Sequence, residues 1–251
     1  MENSTLKQIL SFVDLTTLSG DDTQEKVDNL CQKALDLKKQ YNGEGHPAAI
    51  CVYPPFAAQV KAKLAGSGIQ TACVAGAFPS GQAPLEAKVL EVKWTAEQGA
   101  DEIDTVINRG MFLEGRFEEV KAELIAIKAA CGNAHLKVIL ETGELKTPEN
   151  IRKASEISID AGADFIKTST GKISPAATIE AVEVMAQVVK EHFEKTGKKI
   201  GIKPAGGIST PEEAKAYVDV MKKILGEEWL TPQLFRIGAS RLVDNLTSQI
   251  K

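Results

Sequence analysis

Three short runs that read as β-strands each carry an ionisable side chain among apolar neighbours: Ile103-Asp104-Thr105-Val106, Phe165-Ile166-Lys167-Thr168 and Ile200-Gly201-Ile202-Lys203-Pro204. Burying an unpaired charge is costly enough that the group neutralises or finds a partner. One strand lysine alone can reach outward at the rim of a sheet, but three charges at matching strand ends point to a shared site. Pro204 keeps Lys203 extended at its strand terminus, because the residue before a proline avoids the helical region. Two amines and a carboxylate suit imine chemistry, in which a neutral lysine attacks an aldehyde carbon. His46, His135 and His192 stand alone with no partner at metal-ligand spacing, so neither imidazole catalysis nor a metal site is offered, and no cofactor is expected.

An ordinary lysine, with a pKa of about 10.4, is neutral only about 0.04% of the time at pH 7. Burial and a second ammonium both push that value down. A drop of about 3 units disfavours the charged form by roughly 4 kcal/mol and leaves about 30% of the amine neutral at pH 7. Asp104 works against such a shift, so it is expected to associate chiefly with the non-nucleophilic lysine and with water. On these residues alone, either Lys167 or Lys203 can be the nucleophile.

Three loops near these strands are built to meet an anion. They are Thr168-Ser169-Thr170-Gly171-Lys172, Ala205-Gly206-Gly207-Ile208-Ser209 and Gly238-Ala239-Ser240, the last just before a helix. Glycine lets backbone N–H groups approach a ligand closely, and a helix start adds the positive end of a dipole. Lys172 contributes a mobile charge. A small phosphorylated ligand is expected, with its phosphate held by the last two loops and its reacting carbon near the lysines.

The elements that must position these residues repeat along the whole chain. Strand-like runs fall at Phe12–Leu15, Ala49–Tyr53, Gln70–Val74, Glu102–Val106, Lys137–Glu141, Phe165–Thr168, Ile200–Pro204 and Phe235–Gly238, with amphipathic helical stretches between them. In Leu85–Gln98, the residues Leu85, Val89, Val92 and Ala96 share one stripe, which is expected to face the core. Thr147-Pro148-Glu149 and Thr210-Pro211-Glu212-Glu213 carry helix-start signals. Eight strand–helix units in 251 residues, with no linker-like break, predict a single (β/α)8 TIM barrel, an α/β fold, over residues 1–251. The first nine residues read as a short extension or helix. Gly99-Ala100-Asp101-Glu102-Ile103-Asp104-Thr105 and Gly162-Ala163-Asp164-Phe165-Ile166-Lys167-Thr168 also echo one another, entering the fourth and sixth strands. Alternate strands of such a barrel supply the same interior layer, so Asp104 and Lys167 are expected to share one space.

Composition narrows the partners. Thirty-four acidic residues against 30 basic ones give a net charge of −4, which argues against nucleic acid or an anionic membrane as the main partner. No apolar stretch is long enough to span a bilayer and no secretory signal is visible. Four scattered cysteines without a CxxC pair read as reduced thiols in a cytoplasmic protein.

The segments Phe165–Lys172 and Lys203–Gly207 together resemble the signature of the deoxyribose-phosphate aldolase family. Val13–Leu18, Val138–Leu145 and Arg152–Ile159 are similar as well, and the likeness runs from about residue 10 to residue 245. It implies a class I aldolase that interconverts 2-deoxy-D-ribose 5-phosphate with acetaldehyde and glyceraldehyde 3-phosphate. By this resemblance Lys167 forms the Schiff base, Lys203 depresses its pKa, and Asp104 moves protons through water. Asp14 and Thr16 fall on the family's polar network, and Thr170 lies beside the sugar hydroxyls. Gly171, Lys172, Gly206, Gly207, Gly238 and Ser240 are expected to bind substrate. Cys51 aligns with a pocket-side cysteine, and a homodimer is a possible assembly. Ser209 stands where many members carry an arginine, and Arg241 where many carry a small or hydroxyl residue; either Arg241 restores the phosphate charge, or it faces solvent and phosphate affinity is weaker. The chain also lacks the tyrosine-ended tail of some relatives. The alternatives are another lysine-dependent barrel aldolase and a silent phosphosugar-binding barrel.

Overall fold

The computed structural model describes residues 1–250. Eight parallel strands lie side by side: β1 (Val13–Thr16), β2 (Ala49–Val52), β3 (Gln70–Val74), β4 (Glu102–Val106), β5 (His135–Ile139), β6 (Phe165–Lys167), β7 (Gly201–Lys203) and β8 (Ile237–Ala239). Their order is β7-β6-β5-β4-β3-β2-β1-β8, and parallel bridges from Ile202 to Phe235 and from Ala205 to Gly238 join β8 back to β7. The sheet is therefore a closed barrel, with no free edge to pair with another chain.

Eleven α-helices accompany the strands among the described residues. Helix α1 (Asn3–Ser11) precedes β1, and α2 (Gln24–Gln40), α3 (Ala57–Lys63) and α4 (Leu85–Glu97) follow the first three strands. The short α5 (Arg109–Leu113) leads into α6 (Phe117–Ala130), and the single turn α7 (Thr142–Leu145) into α8 (Pro148–Asp160). Then come α9 (Ile179–Thr196), α10 (Pro211–Leu225) and α11 (Leu242–Thr247). None of them is long and apolar enough to cross a membrane. The helix-start signals act as read. Thr147 and Thr210 accept backbone N–H bonds from Asn150 and Glu213, each at 3.2 Å, and the Glu213 carboxylate returns to the Thr210 N–H at 3.0 Å to complete a capping box.

Two expectations need correction. The fifth strand starts and ends two residues before the predicted Lys137–Glu141, because Glu141 takes the left-handed conformation (φ 58°) and turns the chain out of the sheet. Of the stripe Leu85, Val89, Val92 and Ala96, helix α4 fully buries only Val92 and leaves the other three half-buried; Lys88 and Thr95 are buried beside Val92. Lys88 tolerates burial because its ammonium meets the Glu123 carboxylate at 2.8 Å and also donates to the Gly81 carbonyl. The helix is thereby turned so that Leu90 and Trp94, one turn apart, stand 68% and 43% exposed.

Candidate active site

Strand alternation decides what fills the barrel. Residues paired across parallel strands point the same way, and the register sets Asp104 beside Lys137, Lys137 beside Phe165, Phe165 beside Gly201, and Lys167 beside Lys203. One half of the interior is small and apolar, where Ala49, Cys51, Ala72 and Val74 pack together. The other half is charged. Lys167 Nζ and Lys203 Nζ both donate to Asp104 Oδ2 at 2.7 Å. Lys203 Nζ also lies 2.5 Å from Asp14 Oδ2. Lys137 Nζ reaches Asp104 Oδ1 at 3.1 Å and Glu102 Oε2 at 2.5 Å, while Arg236 binds Asp14 Oδ1 and Glu102 Oε1, each at 2.6 Å. Two glycines make the room. A β-carbon on Gly238 would come within 3.1 Å of Lys203 Cε, and one on Gly201 would strike the Phe165 ring at 2.3 Å.

Asp104 and Lys167 thus share one space. Asp104 does not, however, favour one lysine as expected: a single carboxylate serves three ammonium groups, because β4 faces all of them across a narrow interior. Burial pushes the Asp104 carboxyl up, but Lys137, Lys167 and Lys203 outweigh it and hold the group well below the usual carboxylate range. Burial likewise opposes ionisation of Asp14, yet Lys203, Arg236 and Lys137 hold it low. The two lysines on Asp104 then part company. At Lys203, burial is overcome by Asp104 and Asp14 together, and the ammonium is held above the ordinary lysine range. Lys167 has Asp104 alone, so burial, reinforced by the Lys203 charge, wins and its pKa is lowered.

Above this cluster lies a cavity of about 350 Å³ at the C-terminal ends of the strands, the face where barrel enzymes hold their active sites. Thr16, Lys167, Thr170, Gly171, Lys172, Gly206, Gly207, Gly238 and Ser240 all line it, together with Ser209 and Arg241. Asp14, Asp104 and Lys203 do not. They lie fully buried beneath Lys167, which alone of the charged cluster reaches the cavity. Lys172 Nζ donates to the Leu18 carbonyl at 2.5 Å, tying the loop after β6 to the loop after β1. Cys51 is fully buried, and burial pushes its thiol up.

Sequence reasoning passed over Glu102, Lys137, Arg236, Arg109 and Glu141. The first three carried a readable signal. Glu102 and Arg236 stand two residues before Asp104 and Gly238, so the two-residue period of a strand sends them to the same face, and Lys137 stands two before Ile139 on β5. Glu141 carried none, since its position follows from the left-handed turn after β5.

A family model described as DeoC/LacD family aldolase matches residues 8–241. The chain belongs to the DeoC/LacD aldolase family. Two relatives named deoxyribose-phosphate aldolase, from Mus musculus and Homo sapiens, are each 48% identical over 255 residues, covering 98% of this chain and 80% of their own length. The solved structure of the family's Aeropyrum pernix deoxyribose phosphate aldolase, described as a unique tetramer, superposes with a TM-score of 0.75 at 29% identity, covering 99% of this chain and 97% of that one. The barrel architecture is thus that of the family.

Proposed function

We propose that the protein is a class I aldolase that cleaves 2-deoxy-D-ribose 5-phosphate reversibly to acetaldehyde and D-glyceraldehyde 3-phosphate, through an imine on Lys167. The observation that carries this reading is a lysine with a lowered pKa at the floor of the cavity, resting on a buried Asp104–Lys203 pair. Neutral Lys167 adds to C1 of the open-chain sugar, and the carbinolamine loses water to give a protonated imine. When the C3 hydroxyl gives up its proton, the electrons of the C2–C3 bond flow into the imine. D-Glyceraldehyde 3-phosphate leaves, and the enamine of acetaldehyde stays on the amine. The broken bond is C2–C3, since the two carbons left on the lysine are C1 and C2. Protonation of the enamine carbon and hydrolysis of the imine return acetaldehyde and the free amine.

In this scheme Asp104 moves protons through water, the Lys203 charge and burial keep Lys167 uncharged against the pull of Asp104, and Asp14 anchors Lys203. Thr16 and Thr170 meet the sugar hydroxyls. Gly171, Gly206, Gly207, Gly238 and Ser240 offer backbone and hydroxyl donors to the phosphate, while Lys172 and Arg241 supply charge. Borohydride reduction in the presence of acetaldehyde tests the reading. A mass increase of one reduced two-carbon unit on Lys167 is the expected result, and no adduct, or an adduct on another lysine, overturns it. Turnover of 2-deoxyribose 5-phosphate separates this activity from that of a lysine aldolase for another phosphosugar. Action in the cytoplasm fits four free, buried thiols. Homodimer assembly, supported by the exposed pair Leu90 and Trp94, is decided by light scattering.

A further inference from the structure

Thr170 has a neighbour that fixes what it can do. A threonine hydroxyl owns one proton and two lone pairs. Thr170 Oγ1 donates that proton to Glu141 Oε2 at 2.5 Å, and one lone pair accepts the Lys172 backbone N–H at 3.1 Å. The other Glu141 oxygen accepts the Thr170 backbone N–H at 3.1 Å. Glu141 is fully buried and sits in the left-handed region at φ 58°, where a side chain as large as glutamate persists only if its surroundings hold it. Arg109 does so. Its Nη1 binds Glu141 Oε2 at 3.1 Å, its Nη2 donates to the Ser80 carbonyl at 2.9 Å, and its Nε lies 3.0 Å from Glu144 Oε2. One guanidinium therefore ties together the loops after β3, β4 and β5, and Glu141 passes that order to the loop after β6.

We propose that Glu141, backed by Arg109, is a positioning residue that accepts the hydrogen bond of the Thr170 hydroxyl and leaves Thr170 facing the cavity as an acceptor only. The group it meets must then bring a hydrogen. A hydroxyl on the incoming aldehyde qualifies, whereas a carbonyl or phosphate oxygen does not. Glu141 touches no cavity-lining surface itself and acts through Thr170. The inference rests on the aldolase reading and names the device by which that site selects a hydroxylated acceptor.

The test compares two acceptors in condensation with acetaldehyde: D-glyceraldehyde 3-phosphate and 3-oxopropyl phosphate, which lacks only the hydroxyl. The native protein is expected to favour the first in kcat/KM by at least about tenfold, as one hydrogen bond between well-placed partners allows. Glu141→Gln, which cannot accept at both oxygens, is expected to bring that ratio close to one while borohydride still traps acetaldehyde on Lys167. Thr170→Val is expected to do the same and Thr170→Ser to keep the preference. Adding Glu141→Gln to Thr170→Val is expected to reduce the ratio no further. The proposal is overturned if the native protein shows no preference, if Glu141→Gln lowers both acceptors equally, or if Thr170→Val keeps the ratio. Should Glu141→Gln fail to fold, Arg109→Gln, which releases the same carboxylate from its guanidinium, is expected to lower the ratio, and an unchanged ratio there overturns the proposal. Loss of the trapped adduct in the native protein would instead overturn the aldolase reading itself.

Discussion

Lys167 and Lys203 touch the same carboxylate oxygen at the same distance, yet their protons are held in opposite directions. The difference lies in what else each one touches: Lys203 has Asp14 as a second anion, and Lys167 has only the cavity above it. Replacing Lys203 by leucine removes the repelling charge and gives Lys167 a larger share of Asp104. Both changes favour the charged amine, so the acid limb of the pH–rate profile is expected to move upward by a unit or more and the rate at pH 7 to fall about tenfold or more. A profile that stays in place would refute the role given to Lys203. At the phosphate side, Arg241 lines the cavity where Ser209 carries no charge. Arg241→Ala is expected to raise KM for 2-deoxyribose 5-phosphate roughly tenfold and to leave unphosphorylated deoxyribose unaffected, in keeping with the loss of one charge-assisted contact. Equal effects on the two sugars would show that Arg241 faces away from the phosphate.

At the scale of the elements, the strands work because they alternate, and one glycine is set by its neighbour across the sheet. Gly201 has an ordinary backbone conformation, so what excludes a side chain there is the Phe165 ring. Gly201→Ala is expected to destabilise the fold by about 1–3 kcal/mol through overpacking, measured by denaturant unfolding, and Phe165→Leu in the same chain is expected to recover most of that loss. No recovery would mean that the glycine is needed for another reason. The same alternation explains what could be read beforehand. The eightfold strand–helix repeat, the caps at Thr147 and Thr210 and the meeting of Asp104 with Lys167 all follow from local pattern. The face of α4 does not, because Lys88 is polar by type and its charge is matched by Glu123, 35 residues away. Nor does Glu141, whose left-handed turn carries no glycine or asparagine to announce it. Local chemistry reveals an element's existence, whereas contacts distant in sequence decide its rotation and its ends.

For the molecule as a whole, the barrel interior is an electrostatic unit. Lys137, Lys167, Lys203 and Arg236 face Asp14, Glu102 and Asp104, so four cations meet three carboxylates and the set is balanced when Lys167 is neutral. Asp14 and Asp104 are held below their ordinary range, so the stability they contribute is complete above about pH 4 and is lost as pH falls through their lower native values. Lys203 is held above its ordinary range; its contribution is complete below about pH 10.4 and is lost as pH climbs through the native value. Unfolding by urea across pH is expected to show both declines, with Asp14→Asn flattening the acid one; an unchanged acid limb in that variant would contradict the pairing. Beneath the amines, Glu102, Lys137, Phe165 and Arg236 are each at most 3% exposed, and this packed floor has a kinetic consequence. With that floor closed, the cavity above Lys167 is the doorway to the amine, and the covalently held two-carbon piece sits at the back of it. Whatever carries the phosphate stands nearer the door and must go out first. Departure is therefore sequential, acetaldehyde last, and glyceraldehyde 3-phosphate in excess should re-enter and condense with the waiting two-carbon piece, returning the sugar before acetaldehyde can leave.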